Sequence, residues 1–371
     1  MESNIPGGPG PGVPGPGAQS NFPTQGTVVV AQPVRRRRTL WLLLVFGGLF
    51  CTLAVSMLMN LVFLVGSSPD LVEEKLISHR GEKNPYASAK IAIITIDGAI
   101  LRSEGYVKNQ IDQIRQDKKV KAVVLRINSP GGTVTASDYL YHHLVELREE
   151  RDIPIVVSMG GICASGGYYI AMAVGDREKV IFAEPTTWTG SIGVIIPHYN
   201  FSGLLKEHGI EDDSISSHPL KETGSATKEM SPEQRAILKE LVQLSFEGFK
   251  DIVKQGRPEL DDQTKDEDGL TDLDKVATGQ VFTAAQAEQR GLVDEIGFIE
   301  KAIDRAIVLA GLGADEVQVV RYDRPPSLFG GLLGAAARGK QPNLTALLEL
   351  TTPRAYYLYS VAPALVSSGS R

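Results

Sequence analysis

Residues 153–174 read IPIVVSMGGICASGGYYIAMAV, an apolar β-branched run that passes through a glycine-rich turn into a second apolar run. The first part, residues 153–159, has the composition of a short buried strand, and residues 168–174 can continue as a helix that Gly175 ends. Ser165 lies at the turn between them. Glycines let the backbone approach other groups closely, and a helix N-terminus leaves N–H groups free to face an anion. These features favour Ser165 as the nucleophile of an acyl-transfer enzyme.

Strands and helices alternate from Lys90 onward, which indicates an α/β domain with a mostly parallel sheet. Between two of the strands, residues 137–150 carry leucines at helical spacing, as expected of an amphipathic crossover helix. We expect the domain to occupy residues 90–324. Its other predicted strands are residues 91–96, 120–127 and 180–182.

Three more helices are predicted in the second half of this domain. Ser231 is a typical N-cap, with Pro232 at the first helical position and Gln234 three residues after the cap, which predicts a helix to about residue 254. The acidic residues 261–274 lack the carboxylate spacing of an EF-hand, so we expect a solvated loop and no metal site there. The remaining two helices are predicted over residues 283–289 and 298–310.

The N-terminal region predicts a membrane anchor. Residues 1–38 combine Pro-Gly repeats with the cluster Arg35–Arg38 and are expected to form a disordered tail. Residues 39–66 follow as a transmembrane helix, whose apolar part exceeds the roughly 20 residues that a bilayer requires. A signal peptide is the alternative, although its apolar region would be only about 7–15 residues long. By the positive-inside rule the tail is cytoplasmic, and everything after Ser68 lies outside that membrane, with residues 67–89 as a linker.

Composition excludes some functional classes. The net charge of −6 argues against a nucleic-acid-binding protein. A disulfide between the two cysteines is implausible, because Cys51 lies in the apolar run and Cys163 in the serine motif. Residues 325–371 are expected to form a C-terminal docking tail. Residues 334–341 nearly match a phosphate-binding loop, but the final position is Gln and no strand precedes it, so we infer no ATP dependence and no other cofactor.

A serine nucleophile needs a base to accept its proton. Of the six histidines, His198 and His218 are the plausible partners. A lysine can serve instead if its surroundings hold it neutral, although the pKa of a free lysine is about 10.4. Lys221 and Lys206 are the candidates, and these residues alone do not decide among the four.

A second glycine-rich turn, residues 128–133, ends the strand predicted at residues 120–127. Its N–H groups could form half of an oxyanion hole, with Gly166 as the other half, although a tight turn that simply requires glycine explains it equally well. Ser129 is an alternative nucleophile, but the following proline lacks the N–H that helps to hold an oxyanion. Cys163 is another, although a small buried residue beneath the turn is the commoner role.

Four ordered motifs give the chain a family resemblance. They are Ser129-Pro-Gly-Gly132, Ala164-Ser-Gly-Gly-Tyr-Tyr169, Thr189-Gly-Ser-Ile-Gly-Val194, and Lys221 followed by Gly224-Ser225. Together they resemble the signal peptide peptidase A family of serine endopeptidases, in its short form with one copy of the motif set. The match covers about residues 90–309.

The resemblance implies a ClpP/crotonase-like α/β superhelix of βαβ units. It implies Ser165 as nucleophile, Lys221 as general base, and the N–H groups of Gly132 and Gly166 as the oxyanion hole. It further implies contact with membrane lipid and assembly into a homo-oligomeric ring. In such a ring, the serine and the lysine of one site can come from neighbouring subunits. The expected substrates are remnant signal peptides and other short or unfolded peptides. A non-catalytic membrane scaffold with the same fold is the alternative.

Overall fold

The computed structural model describes residues 34–66, 72–79, 86–261, 271–323 and 356–358, with side chains described for 41–57, 72–79, 86–261 and 271–323. The chain divides into two compact units, Met1–Ser67 and Ser68–Arg371. The predicted N-terminal tail up to residue 33, most of the acidic loop, and the C-terminal tail apart from residues 356–358 lie outside the described residues, as does the stretch resembling a phosphate-binding loop.

The first unit contains one helix, α1 (Val34–Gly66). Its large apolar side chains between residues 41 and 57 are exposed, among them Trp41, Phe46 and Phe50. No helix within the described residues combines the length and the apolar character needed to cross a membrane. The predicted transmembrane helix therefore stays a prediction.

The second unit is an α/β domain built on a mostly parallel sheet. The described strands are β1 (Glu73–Ile77), β2 (Ala89–Asp97), β3 (Val120–Ser129), β4 (Gly131–Thr133), β5 (Ile155–Ala164), β6 (Ile181–Ala183), β7 (Trp188–Gly190), β8 (Val281–Thr283), β9 (Glu295–Ile296), β10 (Val317–Asp323) and β11 (Tyr356–Leu358). The sheet runs in the order β1, β10, β2, β3, β5, β6, β9, and β7 and β8 extend it beyond the end of β5. The β1–β10 and β7–β8 pairs are antiparallel, whereas the other neighbours in this sheet are parallel.

The central strands are buried on both faces. In β3 and β5, consecutive apolar residues such as Val123, Val124 and Leu125 are completely inaccessible to solvent. Continuous apolar runs of this kind are typical of parallel strands with helices on each side. The predicted strands 91–96 and 120–127 are confirmed. The first extends by two residues at its start and one at its end, and the second by two residues at its end.

Helices cover the sheet. They are α2 (Tyr106–Gln116), α3 (Val134–Arg151), α4 (Gly166–Ala171), α5 (Ser202–Glu207), α6 (Pro232–Gly256), α7 (Asp272–Val276), α8 (Ala284–Gln289) and α9 (Ile299–Leu309). The predicted crossover helix is α3, which buries Leu140, Leu144 and Leu147. It begins three residues earlier than expected, at Val134, after the N-cap Thr133. The predicted capping box at Ser231 and Gln234 is confirmed.

Several strands differ from expectation. β7, β8 and β9 contain only two or three residues, so pairing rather than local composition defines them. β10 is inserted between β1 and β2, and β1 lies in the stretch predicted as a linker. The predicted strand at residues 153–159 is also longer than expected, because pairing with β7 carries β5 to Ala164.

Candidate active site

Ser165 occupies a strained turn between β5 and α4. β5 ends at Ala164, α4 begins at Gly166, and Ser165 has φ 54° and ψ −116°. A positive φ is costly for a residue with a Cβ and is found mostly where function requires it. Ser165 is 1% exposed, and its Oγ forms no hydrogen bond within the described residues. The turn therefore presents a hydroxyl that the fold itself does not use.

The partner strand β7 holds this turn in place. The Ser165 N–H donates to the Gly190 carbonyl at 2.8 Å. Gly190 has φ +81°, and a Cβ there would lie 2.7 Å from Cδ2 of Phe282 on β8. Ser191 follows with φ 52° and donates its N–H to the Gln280 carbonyl at 2.7 Å. Two serines with left-handed backbones thus lie at the ends of adjoining strands.

Sequence reasoning assigned no role to Ser191. The available signal was its place in the Thr189–Val194 motif, but its proximity to Ser165 follows from the parallel pairing of β5 and β7. The register places Ala164 beside Gly190, so the residues that follow both strands are neighbours. A second buried hydroxyl therefore accompanies the candidate nucleophile.

The second glycine-rich turn packs against α4 and against the loop after β2. The Ile100 N–H donates to the Gly131 carbonyl, and the Thr133 N–H donates to the Ile100 carbonyl, both at 2.9 Å. A Cβ on Gly132 would lie 1.8 Å from the Ile100 carbonyl oxygen, so only glycine fits there. Gly131 needs φ 99° for the turn. The requirement for glycine is therefore structural, whatever the N–H groups also do.

The two turns lie side by side. A Cβ on Gly167 would lie 3.1 Å from the Ser129 carbonyl oxygen, which shows how closely α4 approaches the end of β3. The N–H of Gly166, as the first residue of α4, has no acceptor within its helix. The structure thus brings Ser165, Gly166 and Gly132 into one region at the carboxyl ends of the parallel strands.

Polar side chains brace the approach to Ser165. Asn128 Oδ1 accepts the Ile162 N–H at 3.2 Å across the irregular end of the β3–β5 pair. Arg126 donates from one nitrogen to Ser158 Oγ at 2.9 Å and from another to Glu184 Oε1 at 2.6 Å. These groups fix the last residues of β5, on whose direction the orientation of Ser165 depends. Sequence reasoning did not single them out, because their partners are 30 to 60 residues away.

The alternative nucleophiles have other roles. Cys163 is completely buried, and burial raises the pKa of its thiol, which disfavours the reactive thiolate. Ser129 is also buried, and its Oγ accepts the Gly131 N–H at 3.1 Å, which stabilises the turn. Both residues support the site rather than face an incoming group.

Lys221 lies on an exposed 3-10 turn, Pro219–Glu222. Within the described residues, no hydrogen bond joins its Nζ to Ser165. Its neighbour Glu222 pairs with Lys228 at 2.9 Å, and Asp212 binds Ser214, Thr227 and Lys228. Lys221, Glu222 and Asp212 line the same cavity of about 290 Å³. Within one chain, Lys221 therefore lies near the carboxylates of Glu222 and Asp212, which already form ion pairs with Lys228.

The other candidate bases are not joined to Ser165 either. His198 Nε2 lies 3.1 Å from the Ser225 carbonyl, and His218 Nδ1 accepts the Leu220 N–H at 3.1 Å. Lys206 is exposed on α5. Both histidines therefore serve the loop that carries Lys221.

In the described part of the chain, one cluster of side chains has the residue types of a metal site. It consists of His142, His143 and Glu146 on α3. Glu146 also pairs with Arg115 at 3.2 Å, and its hydrogen bond with His143 lowers the pKa of the carboxyl. A guanidinium at that distance disfavours a cation. The cluster is explained as a surface ion-pair network.

Comparison with known proteins identifies the family. The sequence profile of peptidase family S49 matches residues 148–313, which include Ser165 and Lys221. A candidate protease of Synechocystis sp. is 38% identical over 247 residues, covering 66% of this chain and 83% of that protein. Protease 4 of Salmonella typhi is 36% identical over 230 residues, which are 60% of this chain. The chloroplastic serine protease SPPA of Arabidopsis thaliana is 31% identical over 281 residues, which are 71% of this chain.

The lengths of these relatives differ. The aligned part of the chain spans 35% of the Salmonella protein and 39% of the Arabidopsis protein. The Synechocystis protein, in contrast, is covered along most of its length. With a serine at a strained strand-to-helix turn, a mostly parallel α/β sheet and these relatives, the chain belongs to peptidase family S49, the signal peptide peptidase A family of serine endopeptidases.

Proposed function

We propose that this chain is a membrane-anchored serine endopeptidase that cleaves peptide bonds with a dyad of Ser165 and Lys221. The observation that carries the proposal is the backbone of Ser165, whose φ of 54° is maintained by β7 while its Oγ has no structural partner in the described residues. Proteins retain such strain mainly where a reacting group must be presented.

In the first half of the proposed reaction, the neutral amine of Lys221 accepts the Ser165 proton, and Oγ attacks the peptide carbonyl carbon. The N–H groups of Gly132 and Gly166 stabilise the resulting oxyanion. Lys221 then gives its proton to the leaving nitrogen, the C–N bond breaks, and an ester remains on Ser165.

In the second half, Lys221 removes a proton from water, and the water oxygen attacks the ester carbon. The Ser165 Oγ leaves and takes the proton back from Lys221, and the acid product departs. Ser191 lies next to Ser165 and offers a hydroxyl that can accept a hydrogen bond from the lysine ammonium between these steps.

The dyad is proposed to form between neighbouring copies in a homo-oligomeric ring. Lys221 is exposed, and the segment around it carries exposed apolar side chains, including Tyr199, Phe201 and Ile215, the last fully exposed. On α6, Leu241 and Leu244 are exposed as well. An adjacent copy would cover these side chains. In that contact, Lys221 of one copy could reach Ser165 of the adjacent copy.

The proposed location and substrates follow from the sequence and the family. The apolar residues 40–65 behind four arginines support a single-pass anchor with a cytoplasmic N-terminus and an outer catalytic domain. Remnant signal peptides in that membrane, and other short or unfolded peptides, are the proposed substrates. A peptide would bind in extended form, by adding a strand to an open edge at the site.

Complementation between two inactive variants tests this proposal. Ser165→Ala and Lys221→Ala are each expected to lose peptide hydrolysis, whereas Lys206→Ala, which removes another exposed lysine, keeps it. When the two inactive chains are co-assembled, an intersubunit dyad restores part of the activity, because some sites receive an intact serine and an intact lysine. Full activity of either single variant would refute the dyad, and an inactive mixture would refute its intersubunit form.

The alternatives predict different outcomes. A scaffold that has lost its chemistry would not react with a fluorophosphonate probe, whereas the proposed enzyme is labelled at Ser165. A histidine base would make His198→Ala or His218→Ala inactive. We expect both histidine variants to retain hydrolysis.

A further inference from the structure

Gln234 is the one buried residue in the first half of α6, a helix that the structure describes throughout. It is 8% exposed, whereas residues 235–248 of the same helix are all exposed or half-buried. The buried apolar residues of α6, Phe249 and Val253, belong to its second half. The first half therefore extends without a hydrophobic core beneath it, and an amide side chain is buried near its start.

The second half of α6 packs on the helix that follows the nucleophile. The ring of Tyr169 on α4 lies 5.1 Å from the ring of Phe249, measured between centroids. α4 begins at the residue after Ser165. From Phe249 back to Gln234, a straight helix covers about 22 Å at about 1.5 Å per residue. α6 therefore connects the helix of Ser165 with a point about four turns away.

The Gln234 side chain holds both the start of α6 and the turn that carries Lys221. Its Oε1 accepts the Ser231 N–H at 2.9 Å, as the third residue of a capping box does. Its Nε2 donates to the Pro219 carbonyl at 2.8 Å. Pro219 is the first residue of the 3-10 turn Pro219–Glu222. One amide thus connects α6 with the backbone two residues before Lys221.

The helix cap does not need the hydrogen bond to Pro219. A capping box requires an acceptor at the third helical position, and a glutamate carboxylate supplies one as well as a glutamine amide does. The amide nitrogen is the part that a glutamate lacks, and it is the part that binds Pro219. The contact therefore serves the turn, and the burial of the amide strengthens it.

Other hydrogen bonds of the turn are mostly local. The Lys221 N–H donates to the His218 carbonyl at 2.9 Å. On the other side of Lys221, His198 Nε2 lies 3.1 Å from the Ser225 carbonyl. These contacts shape the turn, whereas the contact with Gln234 fixes it to a long helix.

We propose that Gln234 is a positioning residue for peptide hydrolysis, which holds Lys221 in a fixed direction at the start of α6. This inference rests on the proposed function, in which Lys221 is the general base for Ser165. Proton transfer requires the lysine nitrogen within about 2.6–3.2 Å of the serine oxygen. Without the Gln234 amide the turn keeps its local hydrogen bonds but loses its fixed orientation, so the lysine amine meets the serine hydroxyl less often.

Three variants separate this contact from the helix cap. Gln234→Glu keeps the acceptor for Ser231, but at about pH 8 its ionised carboxylate cannot donate to Pro219. Gln234→Met has a similar shape and neither charge nor donor. Ser231→Ala is the matched control, because it removes the hydroxyl of the cap and leaves the hydrogen bond to Pro219.

We expect kcat for peptide hydrolysis to fall about 10- to 100-fold in both Gln234 variants, because a base displaced by about 1 Å loses this much. KM should stay within about twofold of the wild-type value, since the turns at Gly132 and Ser165 are unchanged. Ser231→Ala should keep kcat. An unchanged kcat in both Gln234 variants would overturn the proposal, and so would an equal loss in Ser231→Ala, which would assign the effect to the cap.

Hydrogen exchange measures the turn without catalysis. In full-length Ser165→Ala, the amides of residues 220–225 should exchange about three- to tenfold faster once Gln234→Met is added, because the loss of one buried hydrogen bond raises the open population by about that factor. Equal exchange would overturn the proposal. If exchange rises but Lys221→Ala hydrolyses peptides at the full rate, the proposed dyad fails, and Gln234 holds a turn that has no part in the reaction.

Discussion

Replacement of Ser165 by glycine should reveal how much strain the turn stores. Ser165 has φ 54° and ψ −116°, a backbone conformation that costs a residue with a Cβ about 1–3 kcal/mol and costs glycine little. Ser165→Ala removes the hydroxyl but keeps the Cβ and the strain. The comparison of Ser165→Ala with Ser165→Gly therefore isolates the backbone contribution.

A glycine substitution also has ordinary costs, which a control position measures. Ala171, at the end of the same helix, is completely buried and has φ −58° and ψ −26°, which any residue adopts. Ala171→Gly should destabilise the fold by about 1.5–2 kcal/mol, from added chain entropy in the unfolded state and from a lost methyl group. The change from Ala to Gly at residue 165 has the same two costs, but the relief of backbone strain offsets part or all of them. We expect it to be more favourable than Ala171→Gly by about 1–3 kcal/mol.

Urea unfolding of the full chain in detergent, followed by the fluorescence of Trp41 and Trp188 together, measures these free energies. The denaturant dependence should be the same for all variants, so that the midpoints report stability alone. If Ala to Gly costs as much at residue 165 as at residue 171, the turn stores no strain and the main support for Ser165 as nucleophile is lost.

Three further predictions concern the Gly132 turn and the loop that carries Lys221. Gly132→Ala should lower the free energy of unfolding by about 1–3 kcal/mol, because the added Cβ would overlap the Ile100 carbonyl. An unchanged free energy of unfolding would contradict the close approach of Gly132 to Ile100. Lys228→Met frees Glu222 to pair with the Lys221 ammonium, so the pH–rate profile should shift to higher pH and return with Glu222→Gln; an unshifted profile contradicts this. Hydrogen bonds from Ser214 and Thr227 lower the pKa of Asp212 to about 2, so its stabilisation is present above about pH 4 and is lost as the pH falls towards 2. Asp212→Asn should remove that acid dependence in unfolding measurements, and a variant that keeps it would assign the dependence to other carboxylates.

The sequence predicted those parts of the fold that local physics controls. The capping box at Ser231, the apolar strand at residues 120–127 and the strand-to-helix change around Ser165 all depend on neighbours within a few residues. Propensity, capping and burial act at this range, so the pattern alone was sufficient.

The parts that were missed depend on partners distant in the chain. β10 lies beside β2 although their paired residues are 228 positions apart in the chain, as Val317 and Ala89 are, and β7 is a strand only because β5 and β8 lie on either side of it. The same limit applies to the site. Gly132 and Gly166 could be placed near Ser165 because their turns end adjoining strands, whereas Lys221 belongs to a loop whose position relative to Ser165 no local pattern determines.

The order of strands in the sheet has a consequence for the timing of synthesis. The turn at Ser165 is held by Gly190 and, through Ser191, by Gln280, and β1 has no partner in the sheet except β10. A ribosome that has just completed residue 200 has made the nucleophile and β7, yet Gln280 and β8, which support β7, are still to be translated. The nascent domain therefore acquires an organised serine only when nearly all of its sheet has emerged, which delays any peptide hydrolysis until synthesis is almost complete.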